Sequence, residues 1–234
     1  MKELPDGWRL SYVGDCVIAA ECEQEINPEL NNRVLAVARS IRNRARPGIR
    51  DVVESYCGVT VYFDPLKVDM ASIIFDLRLE IVRCCEVQNC SSDGRLIRVP
   101  VCYGGIYGPD LQDVADFAEC TKAEVIERHT AVIYRVYMLG FLPGFAYMGS
   151  VAPSIAVSRR QTPRLSVPVG SVGIAGRQTG VYPLTGPGGW QLVGRTPVVI
   201  VDLGPPMAFV FHPGDKVQFK AVNSEVFDDL STAV

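Results

Sequence analysis

Residues 139–197 read LGFLPGFAYMGSVAPSIAVSRRQTPRLSVPVGSVGIAGRQTGVYPLTGPGGWQLVGRTP. Between Gly140 and Pro197 lie 11 of the chain's 21 glycines and 7 of its 16 prolines. Glycine supplies positive φ and proline fixes φ while removing a donor, so this density predicts short strands joined by tight turns. The charge pattern is equally distinctive. From Arg128 to Val201 there are seven arginines (Arg128, Arg135, Arg159, Arg160, Arg164, Arg177, Arg195) and no lysine, aspartate or glutamate. The rest of the chain holds 16 basic and 26 acidic residues, so a cationic segment is embedded in an acidic protein. Arginine without lysine points to planar, bidentate recognition of a carboxylate or phosphate.

Working outward from this segment, residues 130 to 234 read as strand and turn throughout. Expected strands are 131–139, 155–157, 171–175, 191–193, 198–202, 209–211 and 217–221. Seven or more strands without intervening helices predict a closed or sandwiched β domain. Just upstream, Thr121 and Glu124 have capping-box spacing and open a short helix ending near His129, and Asp110 is placed to cap the helix before it. Residues 102–110 (CYGGIYGPD) form the turn-rich junction.

The N-terminal residues change texture. Strands are predicted over 8–13 and 16–22, and a helix begins at Asn27-Pro28 with Leu30, Val34, Val37, Ala38 and Ile41 at helical spacing. A hairpin over 51–63, a helix over 68–87, a loop at 91–94 and a strand over 95–101 follow. The resulting β-α-β-β-α-β order is the split βαβ, ferredoxin-like pattern. The expectation is therefore an α+β protein with a ferredoxin-like domain over 1–101 and a β-barrel domain over 102–234.

Composition excludes several classes. At 234 residues, with 48% hydrophobic and 21% charged residues, the chain is globular. A net charge of −3 argues against a general nucleic-acid binder. No apolar run approaches the ~20 residues of a membrane helix, and MKELPDGWRLSYVGD lacks a signal-peptide pattern, so a cytoplasmic protein is expected. The eight cysteines (Cys16, Cys22, Cys57, Cys84, Cys85, Cys90, Cys102, Cys120) form no C-x-x-C, and only two histidines exist, so no metal site is expected. They read as reduced thiols packed as small hydrophobes.

The segments PVCYGGIYGPDL, ERHTAVIYRVYMLGFLPGFAYMG, TPRLSVPVGSVGIAGRQTGVYPLTGPGGWQLVGRTP and FHPGDKVQF resemble the family of 5-oxoprolinase B subunits. That family is also called allophanate hydrolase subunit 1, or KipI-like. The resemblance spans nearly the whole chain, most specifically in the central motif. It implies a cyclophilin-like barrel behind a ferredoxin-like domain. It also implies work in an assembly, where A, B and C subunits together cleave 5-oxo-L-proline to L-glutamate with ATP. Two other functions travel with it: a KipI-like inhibitor of a sensor histidine kinase, and a component acting on allophanate or urea derivatives. The family often has serine where this chain has Thr185, and a hydroxyl is kept.

A lactam carbonyl is a poor electrophile, and ring opening needs activation, for which phosphorylation of the lactam oxygen is one route. The site then needs a carboxylate clamp, donors for developing oxyanion charge and room for phosphate. Arg164, Arg177 and Arg195 are the candidate clamps, and Gly173, Gly176, Gly188 and Gly189 allow close backbone approach. Gln178 and Tyr182 are placed to orient substrate, and Thr185 to donate to an oxygen. His129 has the intrinsic pKa of a general acid or base, against the plainer reading of a satisfied core histidine. Trp190, Phe141, Phe145 and Tyr147 read either as pocket wall or as core. His212 reads as turn chemistry. No G-x-x-x-x-G-K-[ST] loop is present, so ATP is expected to be shared with partner subunits.

Overall fold

The computed structural model describes residues 4–86 and 94–232, which divide into two compact units after Asp93. The expected loop at 91–93, Val87 at the end of the second helix and Cys90 lie outside the described residues.

The N-terminal unit contains β1 (Arg9–Tyr12), β2 (Val17–Glu21), α1 (Pro28–Asn43), β3 (Ile49–Glu54), β4 (Gly58–Phe63) and α2 (Met70–Glu86). Helix α1 starts where its sequence dictates. Asn27 Oδ1 accepts hydrogen bonds from the backbone of Glu29 (2.9 Å) and Leu30 (3.3 Å), and Pro28 occupies the first turn, where its missing N–H costs nothing. Val34, Val37, Ala38 and Ile41 on α1 and Ile73, Leu77 and Ile81 on α2 are buried against Ile18, Ala20, Val59, Val61 and Phe63 of the sheet. The sheet order is β1-β2-β4-β3, every pair antiparallel.

One expectation is corrected here. The strand over 95–101 does not close this sheet. Its place beside β2 is taken by β1, which pairs with β2 from Arg9↔Glu21 to Tyr12↔Ile18. The strand itself, β5 (Leu96–Tyr103), belongs to the second unit. The reason is partnership: β5 runs parallel to a strand near the C terminus over seven registered pairs, Leu96↔Lys216 to Cys102↔Val222.

After β5 the second unit continues with α3 (Leu111–Phe117), α4 (Lys122–Thr130), β6 (Tyr134–Leu139), β7 (Ala146–Gly149), β8 (Arg164–Val167), β9 (Ser171–Ala175), β10 (Gln178–Val181), β11 (Gly186–Gly188), β12 (Gln191–Arg195), β13 (Val201–Asp202), β14 (Ala208–Phe209), β15 (Lys216–Val222) and α5 (Ser224–Thr232). Seven strands close a barrel in the order β10-β7-β6-β15-β5-β12-β9, with β9 bonded back to β10. Two ribbons, β8–β11 and β13–β14, stand outside that ladder. The closed barrel leaves its seven strands without an open edge.

Both halves of the capping box on α4 are present, Thr121 with Glu124. The strand expected over 155–157 is absent: Pro153–Ile155 form a single 3-10 turn, and residues 156–157 are not in a strand. The chain does not end in strand either, because α5 follows β15 with Asn223 Oδ1 accepting from Val226 N at 2.9 Å. Among the described residues, no helix is long and apolar enough to cross a membrane.

Candidate functional site

Alternation along the barrel strands builds two layers from one wall. Ala146 and Met148 on β7 join the barrel core, while Phe145 and Tyr147 belong to a second cluster with Tyr182 and Trp190. Ile174 and Val181 likewise face the barrel core, whereas their neighbours Ala175 and Tyr182 join the second cluster. A strand's period of two sends successive side chains to opposite faces, so one stretch lines both the core and an outer pocket.

That pocket has a volume of about 210 Å³. Phe145 is at its centre, with ring-centroid distances of 4.9 Å to Tyr147, 5.2 Å to Tyr182 and 5.4 Å to Trp190, all edge-to-face. Such pairs are the preferred aromatic geometry and make a stiff wall. Two glycines make room for it. A Cβ on Gly173 would lie 3.0 Å from Trp190 Cβ, and one on Gly188 would lie 2.3 Å from the Tyr182 hydroxyl. Phe141 stands at the rim with φ +69°, in the left-handed region unfavourable to a bulky residue, and is 57% exposed. Pro163, Pro187, Gly189 and Arg159 complete the lining.

Arg159 is the pocket's cation. Its guanidinium carbon lies 5.9 Å from the Trp190 ring centroid, within cation–π reach. Burial raises the pKa of both Tyr147 and Tyr182, and in each the charge of Arg159 acts in the opposite direction, which places that charge near both hydroxyls. Arg159 makes no ion pair among the described residues. Its neighbours differ. Arg160 Nη1 and Arg164 Nη2 both donate to Asp110 Oδ1, at 3.0 and 2.7 Å, and Leu192 N donates to Asp110 Oδ2 at 2.7 Å. Asp110 is 2% exposed. The arginine-rich segment is therefore free of acids in sequence but not in space.

The expected site residues separate accordingly. Phe145, Tyr147, Tyr182, Gly188, Gly189 and Trp190 meet in the pocket. Arg164, expected as a clamp, is bound to Asp110, although its Nη1 is buried without a partner. Arg177 is exposed in the β9–β10 turn and Thr185 is exposed before β11; neither lines the pocket. Arg195 sits at the end of β12 with its guanidinium 5.9 Å from the Tyr107 ring. Gln178 opens β10, paired with Gly149 and Ala175.

His129 is corrected from general acid or base to core histidine. It is fully buried, stacked on Phe219 at 4.8 Å. Thr179 Oγ1 donates to Gly173 O (3.0 Å), so it accepts from His129 Nε2 (3.0 Å), which leaves Nδ1 to accept from the Tyr103 hydroxyl (2.8 Å). Burial drives its pKa down to about 3. Both nitrogens are satisfied and neither reaches the pocket.

Two residues escaped the sequence reading. Arg159 is adjacent to Arg160 in an Arg-Arg pair, and nothing local separates the free member from the paired one. Asp110 was read as a helix cap, but its side chain makes no cap bond and serves the arginines instead. Two larger concavities, about 670 and 420 Å³, lie on the N-terminal unit. They contain none of the expected residues, and in the second Arg42, Arg46 and Arg50 are paired with Glu54, Asp76 and Asp64.

Residues 8–209 match the family described as carboxyltransferase domain, subdomain C and D. The 5-oxoprolinase B subunit of Bacillus subtilis (strain 168) is 36% identical over 226 residues, covering 93% of this chain and 94% of that one. This chain belongs to the family of 5-oxoprolinase B subunits. Its relative from Haemophilus influenzae, of the same description, is 42% identical over 173 residues, covering 73% of this chain and 79% of its own. Among solved structures, TTHA0988 matches with a TM-score of 0.77 and 31% identity over 89% of this chain. This chain spans 40% of that longer polypeptide. In this chain the segment GFAYMG supplies Phe145 and Tyr147 to the pocket wall, and VYPLTGPGGW supplies Tyr182, Gly188, Gly189 and Trp190.

Proposed function

We propose that this chain is the B subunit of an ATP-dependent 5-oxoprolinase, a cytoplasmic hydrolase that opens 5-oxo-L-proline to L-glutamate in company with A and C subunits and is inactive alone. The observation that carries the reading is the match to the Bacillus subtilis relative, which runs nearly end to end in both chains. The pocket supports it on chemical grounds. Ligand pockets for drug-sized molecules span ~300–1,000 Å³, and one of about 210 Å³ suits a single small ring. Aromatic faces suit the ring's apolar edge, and an arginine suits a carboxylate.

ATP does not fit this pocket, whose volume is too small for a nucleotide and whose lining holds one cation. In this reading ATP is bound by the assembled enzyme, and the chain's own residues bind and orient the small ring. The finer fold names belong to the same reading. The N-terminal unit is ferredoxin-like with β1 in the place of the closing strand, and the barrel is cyclophilin-like.

The test is glutamate release from 5-oxo-L-proline with ATP, first with this chain alone and then with candidate A and C subunits. Release confined to the three-component mixture is expected. A stable assembly that forms no glutamate under any condition overturns the proposal.

A further inference from the structure

We propose that the pocket is a receptor for the carboxylate of a small ring, with Arg159 as the residue that meets the carboxylate and Phe145, Tyr147 and Trp190 as the wall against which the ring packs. Assigning that ring to 5-oxo-L-proline rests on the function proposed above; the pairing of one cation with an aromatic wall does not.

Three arginines stand within six residues, Arg159, Arg160 and Arg164, and one buried acid faces them. Asp110 binds the second and third through a single oxygen, at 3.0 and 2.7 Å, and uses its other oxygen to hold Leu192 on β12. Its one negative charge cannot neutralise two guanidinium groups. The nearest additional acid, Asp113, is 4.0 Å from Arg160 and mostly exposed. The region around the pocket is therefore left cationic, and Arg159 is the member with no acid partner among the described residues. Its place is set from both sides. The backbone N–H of Arg160 donates to Gly189 O at 2.7 Å, tying the arginine segment to the pocket wall. Gln191 Nε2 donates to Ser158 O at 3.2 Å on the other side. Asp110 is thus a positioning residue: it fixes the flanks of Arg159 without touching the pocket. The Arg159 guanidinium carbon lies 5.9 Å from the Trp190 ring centroid, and a guanidinium is a planar fork of donors that matches a carboxylate.

The arrangement discriminates by charge. A lactam ring that lacks the carboxylate would keep the aromatic contacts and lose the arginine. The test titrates the full chain, alone and within the assembled enzyme, with 5-oxo-L-proline and with 2-pyrrolidinone, the same lactam without its carboxylate, using calorimetry. Wild type is expected to prefer 5-oxo-L-proline. Arg159→Gln, an exposed position, should weaken that ligand roughly 10- to 100-fold, with no change for 2-pyrrolidinone. Arg159→Lys should recover part of the loss, because charge returns without the fork. In the assembled enzyme the same variants should raise KM more than they lower kcat.

Three results overturn the proposal: Arg159→Gln binding 5-oxo-L-proline within twofold of wild type, 2-pyrrolidinone binding as tightly as 5-oxo-L-proline, or wild type binding neither 5-oxo-L-proline nor cyclopentanecarboxylate in either form. The two readings fail separately. Glutamate release that is unaffected by Arg159→Gln sinks the receptor and spares the oxoprolinase. An assembly that releases none, in a chain that still binds cyclopentanecarboxylate through Arg159, sinks the oxoprolinase and spares the receptor.

Discussion

The carboxylate of Asp110 accepts from Arg160 and Arg164 through one oxygen and from the backbone of Leu192 through the other while almost fully buried, so replacing one oxygen by an amide nitrogen removes the charge and sets a donor against either Leu192 N or the two guanidinium groups. Asp110→Asn is expected to destabilise the protein by roughly 2–4 kcal/mol, read from urea unfolding. A change below about 0.5 kcal/mol, the scale of ordinary surface substitutions, would show that the arginines re-pair elsewhere. His129 behaves differently because it is neutral and satisfied. Its folded pKa of about 3 lies below the usual 6.5, so the unfolded chain takes up a proton first as pH falls. Its contribution is complete above pH 6.5 and is lost on acidification towards 3. His129→Gln should flatten the stability–pH profile between pH 6 and 4 by up to about 1.4 kcal/mol per pH unit. Chemical denaturation at a series of pH values checks it. Of these two residues, the sequence offered the histidine as a choice between catalysis and core, and the aspartate as a cap. Neither fate was legible, since each depends on partners 50 residues or more away.

At the scale of elements, α1 and α2 are joined by an ion network as well as by their apolar stripes. Arg44 binds Asp76 at 2.9 Å and also Glu80, Arg46 binds Asp76, and Ser40 Oγ donates to Glu80 at 2.5 Å. Burial pushes the Glu80 carboxyl up, but Ser40 and Arg44 outweigh it and its pKa is lowered overall. That stability is present above the ordinary glutamate range and fades as pH falls through the folded value. Arg44→Met should therefore cost about 1–3 kcal/mol at pH 7 and less near pH 3, measured by thermal unfolding at both. Local signals predicted the helices well where a cap was written beside a periodic stripe, as at Asn27-Pro28 and Thr121–Glu124. Helix α5 was missed although Asn223 caps it. Its stretch SEVFDDLST is short: Val226, Phe227 and Leu230 have helical spacing, but they make a single-turn apolar face, and none of its described residues is buried.

At the scale of the molecule, the barrel is closed by β15, which pairs with β5 in parallel and with β6 in antiparallel register. Val217 and Phe219 are fully buried in its core. Deletion from Lys216 onward opens the barrel between β5 and β6 and exposes two new edges. The truncated chain should lose the cooperative thermal transition of the second unit and aggregate, as followed by calorimetry and light scattering; retention of that transition would mean the barrel does not need its closing strand. The amino-acid sequence by itself determined what is written locally: the helices that carry a cap beside a periodic stripe, a strand-rich second domain, and a glycine-, proline- and arginine-rich segment of short strands and turns. Those features follow from φ preferences and side-chain periodicity, which act over a few neighbours. Only the tertiary structure decided that the strand at Leu96–Tyr103 joins the barrel, that the aromatic residues wall a pocket, and that Arg159, of three arginines within six residues, is the one with no ion pair among the described residues. Strand pairing and charge neutralisation are contacts across space, and their partners here stand 120 and about 50 residues away in the chain.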